Sequence, residues 1–217
     1  MNVAIAGARG KIALRLAPLL AAEGDRVIGL IRNPEHTTEV SQAGASPIVC
    51  DLERATVEEI ATAVKDADAV VFAAGAGPGS GAERKLTLDR DGAVKFLRAA
   101  TQADVPGFLI ISSLGAEAPP PGDDVLSVYL RAKAEADQAV QASDRKWTIL
   151  RPGPLTDDPG TRRVRIESAP FQGQVPRDDV AAVLARLLHD DRFSHRMFYV
   201  NSGEDPIEQA LERVVSV

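Results

Sequence analysis

The sequence predicts an α/β fold: one doubly wound domain with a mostly parallel sheet of six to seven strands and helices on both faces. Three observations carry this expectation. Short apolar runs of strand length recur at 3–6, 26–31, 69–73 and 108–112, without the polar alternation of a strand that has one wet face. The stretches between them place apolar residues at helical spacing, so strand and helix alternate. The first apolar run ends at Gly7 and Gly10, and a helical pattern follows at once.

Taken in order, Val3, Ala4, Ile5 and Ala6 read as a strand buried on both faces, and Ile12, Leu16, Leu19 and Leu20 as the inner stripe of the next helix. Strand, glycine turn and helix form the first unit of a dinucleotide-binding, Rossmann-type fold. The glycines let the backbone turn tightly and approach a pyrophosphate held by the free N–H groups of the helix N-terminus. Ala13 stands where a third glycine is usual and is still small enough for close helix–strand packing. Pro18 should kink this helix, and Gly24-Asp25 stops it. A second strand at 26–31 runs into Arg32-Asn33-Pro34. An acidic residue at that edge would bond a ribose diol, whereas an arginine pairs with a 2′-phosphate, so Arg32, 25 residues past Gly7, predicts NADP(H) over NAD(H). The alternative is a solvated arginine at a strand end. Arg9, inside the glycine turn, is within reach of the same phosphate.

Residues 34–44 read as a short helix, and 47–50 as a third strand ending at Asp51-Leu52. Asp51 either faces an adenine amino group or caps a helix. Helix is expected over 56–64, and a fourth strand over 69–73 runs into the small residues Ala74 and Gly75. These would let a ribose and nicotinamide lie against the backbone; the rest of the glycine-rich segment to 81 reads as a mobile loop. A long helix over 86–103 would face the sheet with Val94, Leu97 and Ala100 or Thr101. A fifth strand over 108–112 ends in Ser112-Ser113, and the proline-rich stretch 115–124 reads as a surface flap. Helix over 125–142 and a sixth strand over 147–150 follow, then Arg151-Pro152-Gly153-Pro154-Leu155. A strand-like RRVRIE piece, a helix over 176–189, a strand over 197–200 and a helix from 206 end the chain. No repeat or linker divides residues 1–217.

Composition narrows the function. The chain is 45% hydrophobic and 26% charged, as in an ordinary soluble globular protein. A net charge of −6 argues against nucleic acid as a partner, and no apolar run has the length of a membrane span. The first strand begins at residue 2, leaving no room for a signal peptide, and a lone cysteine suits a reducing cytoplasm. Cys50 reads as a buried, inert thiol, and His36, His189 and His195 show no metal-ligand spacing with it, so no metal is expected. The partner expected is a small-molecule substrate; a homodimer is left open.

The candidate chemistry lies on the helix over 125–142. Tyr129 and Lys133 are four apart and emerge on one face, together with Val125, Ala132, Ala136 and Val140. Ser113 lies 16 residues before Tyr129, at the carboxyl edge of the preceding strand, where ligands of such sheets bind. An ammonium beside a phenol favours the phenolate and equips the hydroxyl to exchange a proton. Lys133 can also hold a nicotinamide ribose, and the serine can steady a substrate oxygen. The plainer reading packs Tyr129 on the sheet and leaves Lys133 to bind cofactor. Arg162, Arg163 and Arg165 read as a solvated strand face, with contact to an anionic substrate as the alternative.

The combination GARGKIA, RNP, CDL, FAAGAG, ISSLGA, YLRAK and RPGPL resembles the short-chain dehydrogenase/reductase superfamily. More closely, it is similar to the atypical single-domain branch of NAD(P)-binding, NmrA-like epimerase/dehydratase proteins, over nearly the whole chain. The resemblance implies that Gly7, Arg9, Gly10, Lys11 and Ile12 surround the pyrophosphate and that Arg32 meets the 2′-phosphate. Asp51 and Leu52 would border the adenine, and Ala73, Ala74 and Gly75 the ribose. Ser113, Tyr129 and Lys133 match the superfamily's catalytic positions, while Pro152, Gly153 and Leu155 match the nicotinamide pocket. Residues from about 151 to 217 would complete the substrate side. That segment is short beside those of sugar-nucleotide epimerases, which argues against epimerisation. The first function that follows is an NADP(H)-dependent oxidoreductase acting on a small carbonyl or alcohol; the alternatives are an NmrA-like sensor or regulator that binds NADP(H) without turnover, or an epimerase/dehydratase.

Overall fold

The computed structural model describes residues 1–77 and 79–216; Pro78, in the loop expected before residue 81, lies outside the described residues. Strand β1 (Asn2–Ala6) leads through the glycine turn to helix α1 (Ala13–Ala22). Strand β2 (Arg26–Ile31), a 3-10 turn (Pro34–His36) and α2 (Thr37–Gln42) follow, then β3 (Ala45–Val49), α3 (Val57–Val64) and β4 (Ala69–Phe72). One helical turn, α4 (Ala82–Arg84), passes into a π-helical segment (Lys85–Arg90) and on into α5 (Asp91–Gln102). Strand β5 (Gly107–Ile111), α6 (Val125–Gln141) and β6 (Lys146–Pro152) complete the alternation. The remainder adds β7 (Leu155–Thr156), β8 (Arg163–Glu167), β9 (Val175–Pro176), α7 (Arg177–Leu188), β10 (Arg196–Ser202), β11 (Asp205–Pro206) and α8 (Ile207–Val215).

The main sheet has the order β11-β8-β10-β6-β5-β4-β1-β2-β3, and β7 pairs separately with β9. Seven strands, from β10 to β3, run parallel, and β8 is antiparallel to both of its neighbours. The expected six to seven strands thus become nine, because β8 and the two-residue β11 extend the C-terminal edge. A pairing of two residues leaves no periodic signal in a sequence. Strand order turns between β1 and β4, so their crossovers diverge and a crevice opens above their carboxyl ends.

The sheet is buried on both faces, as its uninterrupted apolar strands require. One core layer packs Leu16 and Leu20 of α1 and Val40 of α2 with Val180, Val183 and Leu184 of α7 and Leu211 of α8. The other joins Ile60 and Val64 of α3 with Phe96 of α5 and Val140 of α6. Phe96 lies between Phe72 and Phe108, with ring centroids 6.0 and 5.9 Å away, and each such buried ring contributes roughly 1.5–3 kcal/mol.

Several local expectations are corrected. Helix α5 buries Ala93, Phe96, Leu97 and Ala100, while Val94 is half-buried and Thr101 exposed, because the π-segment rotates the helix relative to an uninterrupted one. Thr56, not Asp51, caps α3, in a reciprocal box with Glu59. Val125 is 46% exposed rather than on the inner face of α6. Pro18 is tolerated inside a continuous α1, on its exposed side. Strand β3 closes one edge of the sheet; Cys50 N–H, just beyond it, donates to the Ile31 carbonyl of β2. By strand alternation the missing N–H of Pro47 therefore falls on the outer side. No helix among the described residues is long and apolar enough to cross a membrane.

Candidate functional site

A cleft of about 920 Å³ opens at the carboxyl ends of the strands, along the turns that follow β1, β2, β3 and β4. Its floor at one end is the glycine turn. Gly7 has φ 77°, and a Cβ there would lie 2.6 Å from the Ala74 Cα, so no side chain fits. Gly10 N–H donates to the Gly7 carbonyl at 2.8 Å, which closes the turn. Among the described residues, no backbone carbonyl accepts from the amides of Arg9, Lys11 and Ile12. Three such N–H groups at a helix entrance form an anion cradle.

Cations surround this cradle. Lys11 Nζ donates to Asp157 Oδ2 at 2.5 Å, and Arg177, the first residue of α7, donates to Asp157 Oδ1 at 2.9 Å. The Lys11 hydrogen bond, helped by the charges of Arg177 and Arg15, holds the Asp157 carboxyl below its ordinary range despite the upward push of desolvation. Free amides and basic side chains around a turn that admits only glycine fit the diphosphate of a dinucleotide.

At a second end of the cleft, Arg32 projects from the end of β2 and Glu53 from the turn after β3. Glu53 accepts from Arg84 at 2.9 Å and from Thr87 at 2.8 Å, and Arg32 stands 3.8 Å from it. Burial alone would raise the Glu53 carboxyl; the Arg84 and Thr87 hydrogen bonds and the two guanidinium charges outweigh it and leave it lowered. Asp51 and Leu52 border the same region, with Cys50, which is half-buried on the wall rather than enclosed. Partial burial pushes its thiol up, so it stays protonated.

The third region gathers Tyr129, Lys133 and the π-segment. Lys133 is buried; its Nζ donates to the Ile111 carbonyl at 2.9 Å and stands 3.6 Å from Asp89 Oδ1. Asp89 also accepts from Ala76 N–H at 3.1 Å, tying the turn after β4 to the helix. Tyr129 is half-buried, its ring 5.2 Å from Lys85 Nζ and 5.9 Å from Lys133 Nζ. Asp89 offsets the Lys133 charge, whereas Lys85 bonds only a backbone carbonyl, that of Gly77, among the described residues.

Gly7, Arg9, Gly10, Lys11, Ile12, Arg32, Asp51, Leu52, Ala73, Ala74, Gly75, Tyr129, Lys133 and Leu155 all border this one cleft. Ser113, Pro152 and Gly153 do not. Ser113 Oγ donates to the Leu114 carbonyl, and the neighbouring Ser112 borders the cleft instead. Successive side chains at a strand end point to opposite sides, so only one serine of the pair reaches the wall. Ser112 donates to Asp137 at 2.7 Å, and Asp137 also receives Arg151 at 2.8 and 3.0 Å. Burial raises the Asp137 carboxyl, and these bonds offset the effect only in part. Pro152 and Gly153 are buried beneath, where a Cβ on Gly153 would fall 2.1 Å from Asn201 Oδ1.

Sequence reasoning missed Glu53, Arg84, Lys85, Asp89, Asp157 and Arg177. Lys85 and Asp89 share the spacing of Tyr129 and Lys133, which is the one signal that could have singled them out. The others meet across different loops and leave no spacing signal.

Comparison with known proteins agrees with this geometry. The uncharacterized sugar epimerase YhfK of Bacillus subtilis is 35% identical over 99% of this chain and 100% of its own length. A Bacillus halodurans structure, provisionally named an NAD-dependent epimerase/dehydratase, superposes with a TM-score of 0.92 at 34% identity, over 99% of this chain and 100% of its own. The oxidoreductase YlbE of Lactococcus lactis gives a TM-score of 0.88 at 26% identity, over 100% of this chain and 98% of its own. The profile of the NAD(P)H-binding family matches residues 7–191, from the first glycine of the turn to beyond α7. With its glycine cradle, parallel sheet and cleft at the strand-order switch, this chain belongs to the NAD(P)H-binding family.

Proposed function

We propose that this protein is an NADP(H)-dependent oxidoreductase that acts on a small carbonyl or alcohol. The observation that carries the reading is the single cleft bordered at once by the glycine turn, Arg32 and the Tyr129–Lys133 pair. A bound nicotinamide supplies hydride transfer at its C4. The residues of the chain handle the proton and the orientation. Tyr129, half-buried on the wall, gives its hydroxyl proton to the substrate oxygen in reduction and takes it back in oxidation. Lys133, pinned by Asp89 and the Ile111 carbonyl, positions the tyrosine helix against β5 and offers its remaining donor to a ribose hydroxyl. Ser112 has its own proton committed to Asp137, so proton donation rests on Tyr129.

One observation favours a second reading, a binding protein that senses NADP(H): Ser113, the position expected to steady the substrate, stands off the cleft wall. Titration with NADPH and NADH, followed by fluorescence, comes first. Preferential NADPH binding that Arg32→Ala abolishes is expected. Against a panel of carbonyls, Tyr129→Phe is then expected to lower turnover by roughly 10²–10⁴-fold with NADPH affinity retained. Unchanged turnover in that variant removes Tyr129 from the mechanism. NADPH binding without turnover on any carbonyl favours the sensor.

A further inference from the structure

Glu53 is an anion set among the groups that would receive an anion. Two separate segments converge on it, the end of β2 and the helical stretch that carries Arg84 and Thr87. Arg84 points both Nε and Nη2 at Glu53 Oε2, at 3.2 and 2.9 Å, and Arg32 Nη1 stands 3.8 Å from the same oxygen. Thr87 Oγ1 donates to Oε1 at 2.8 Å. The turn that carries Glu53 is itself clamped: Lys95 Nζ donates to the carbonyls of Leu52, Glu53 and Ala55 at 2.8, 3.2 and 3.0 Å. The carboxylate is thus held at a fixed point on the cleft wall. Both guanidinium groups also border the cleft, with 58% of the Arg32 side chain and 34% of that of Arg84 exposed.

We propose that Arg84 is a second ligand for the 2′-phosphate of NADP(H), and that Glu53 competes with that phosphate for both arginines and so sets how strongly NADP(H) is preferred over NAD(H). The inference rests on the NADP(H) reading above and deepens it. A phosphate monoester carries close to two negative charges at neutral pH and matches the planar fork of an arginine. Two guanidinium groups answer such a group better than one, and a lone carboxylate already between them subtracts from the attraction. The π-segment matters here, because Arg84 and Thr87 flank its start and both reach the same carboxylate. An acidic residue near a ribose could otherwise accept its hydroxyls and select NAD(H). Both Glu53 oxygens already hold donors, which favours the competing role.

The test measures dissociation constants for NADPH and NADH, and for adenosine 2′,5′-bisphosphate and AMP, in wild type, Arg32→Ala, Arg84→Ala, Arg84→Lys and Glu53→Gln. Folding of each variant is checked by circular dichroism. Loss of a charge-assisted fork in Arg84→Ala is expected to lower the NADPH-to-NADH affinity ratio by about tenfold or more. Arg84→Lys keeps charge without the fork and is expected to fall between, which serves if the alanine variant is unstable. Glu53→Gln keeps the shape and removes the charge, and is expected to raise the ratio by about three- to tenfold, with the fragment pair following. If Glu53→Gln instead weakens NADH alone, Glu53 holds the ribose hydroxyls and the proposal is overturned. Unchanged ratios in both the Arg84 and Glu53 variants, with Arg32→Ala still abolishing the preference, overturn the proposal while sparing the NADP(H) reading. No preference in wild type, with Arg32→Ala silent, removes both.

Discussion

Ionic pairs in this protein differ most in how far they are removed from water. Asp137 and Arg151 are 1% and 5% exposed, so their attraction is little screened and their desolvation is costly. Replacing Asp137 by alanine leaves Arg151 with Glu117 at 3.7 Å as its nearest carboxylate. We expect a loss of about 3–5 kcal/mol in urea denaturation, partly restored when Arg151→Met is added, because an apolar pair needs no counter-charge. Single-residue features of this kind divide cleanly by what a sequence can carry. Gly7, Tyr129 and Lys133 were readable because each belongs to a motif of fixed spacing within one turn or helix. Asp137 lies one turn beyond Lys133 on α6 and carried no mark, because its partners come from two different strands. Ser113 and Ser112 were indistinguishable by type, and only the pleat decides which one meets the cleft.

At the scale of elements, the π-segment between β4 and α5 does the most. A regular helix was expected from residue 86; the extra residue per turn shifts the register so that Asp89 reaches Lys133 and Ala76 N–H together. Neighbouring residues allow a direct comparison. Asp89 is buried, whereas Asp91 pairs with Arg90 at 2.7 Å with 54% of its side chain exposed. Asp89→Asn is expected to cost about 3 kcal/mol in equilibrium unfolding and Asp91→Asn under about 1 kcal/mol. Equal losses would mean that the buried pair does not hold the π-segment to α6. The termini of the longer elements were read to within a few residues from apolar runs and glycines, whereas the short α4, β7, β9 and β11 were not anticipated. The π-segment was not, because its residues, KLTLDR, are ordinary helix formers and only tertiary contact selects the wider turn.

For the whole molecule, alternation of strand and helix was enough to anticipate a parallel, doubly wound sheet, and the switch between β1 and β4 then dictates where the cleft must be. What the alternation could not show was how the sheet finishes. Its C-terminal side ends in β11, a strand of two residues; its other side ends in β3, where Val49 is 56% exposed and Pro47 turns its nitrogen outward. An open row of amides beside an apolar side chain invites another chain to extend the sheet. Proline removes one donor from that row, so an incoming strand cannot complete its ladder. Pro47→Val is therefore expected to leave the fold intact but to raise light scattering at high concentration and on mild heating, an effect that adding Val49→Lys should suppress. One ring at the margin of the sheet is thus expected to keep the open edge of one copy from pairing with the next.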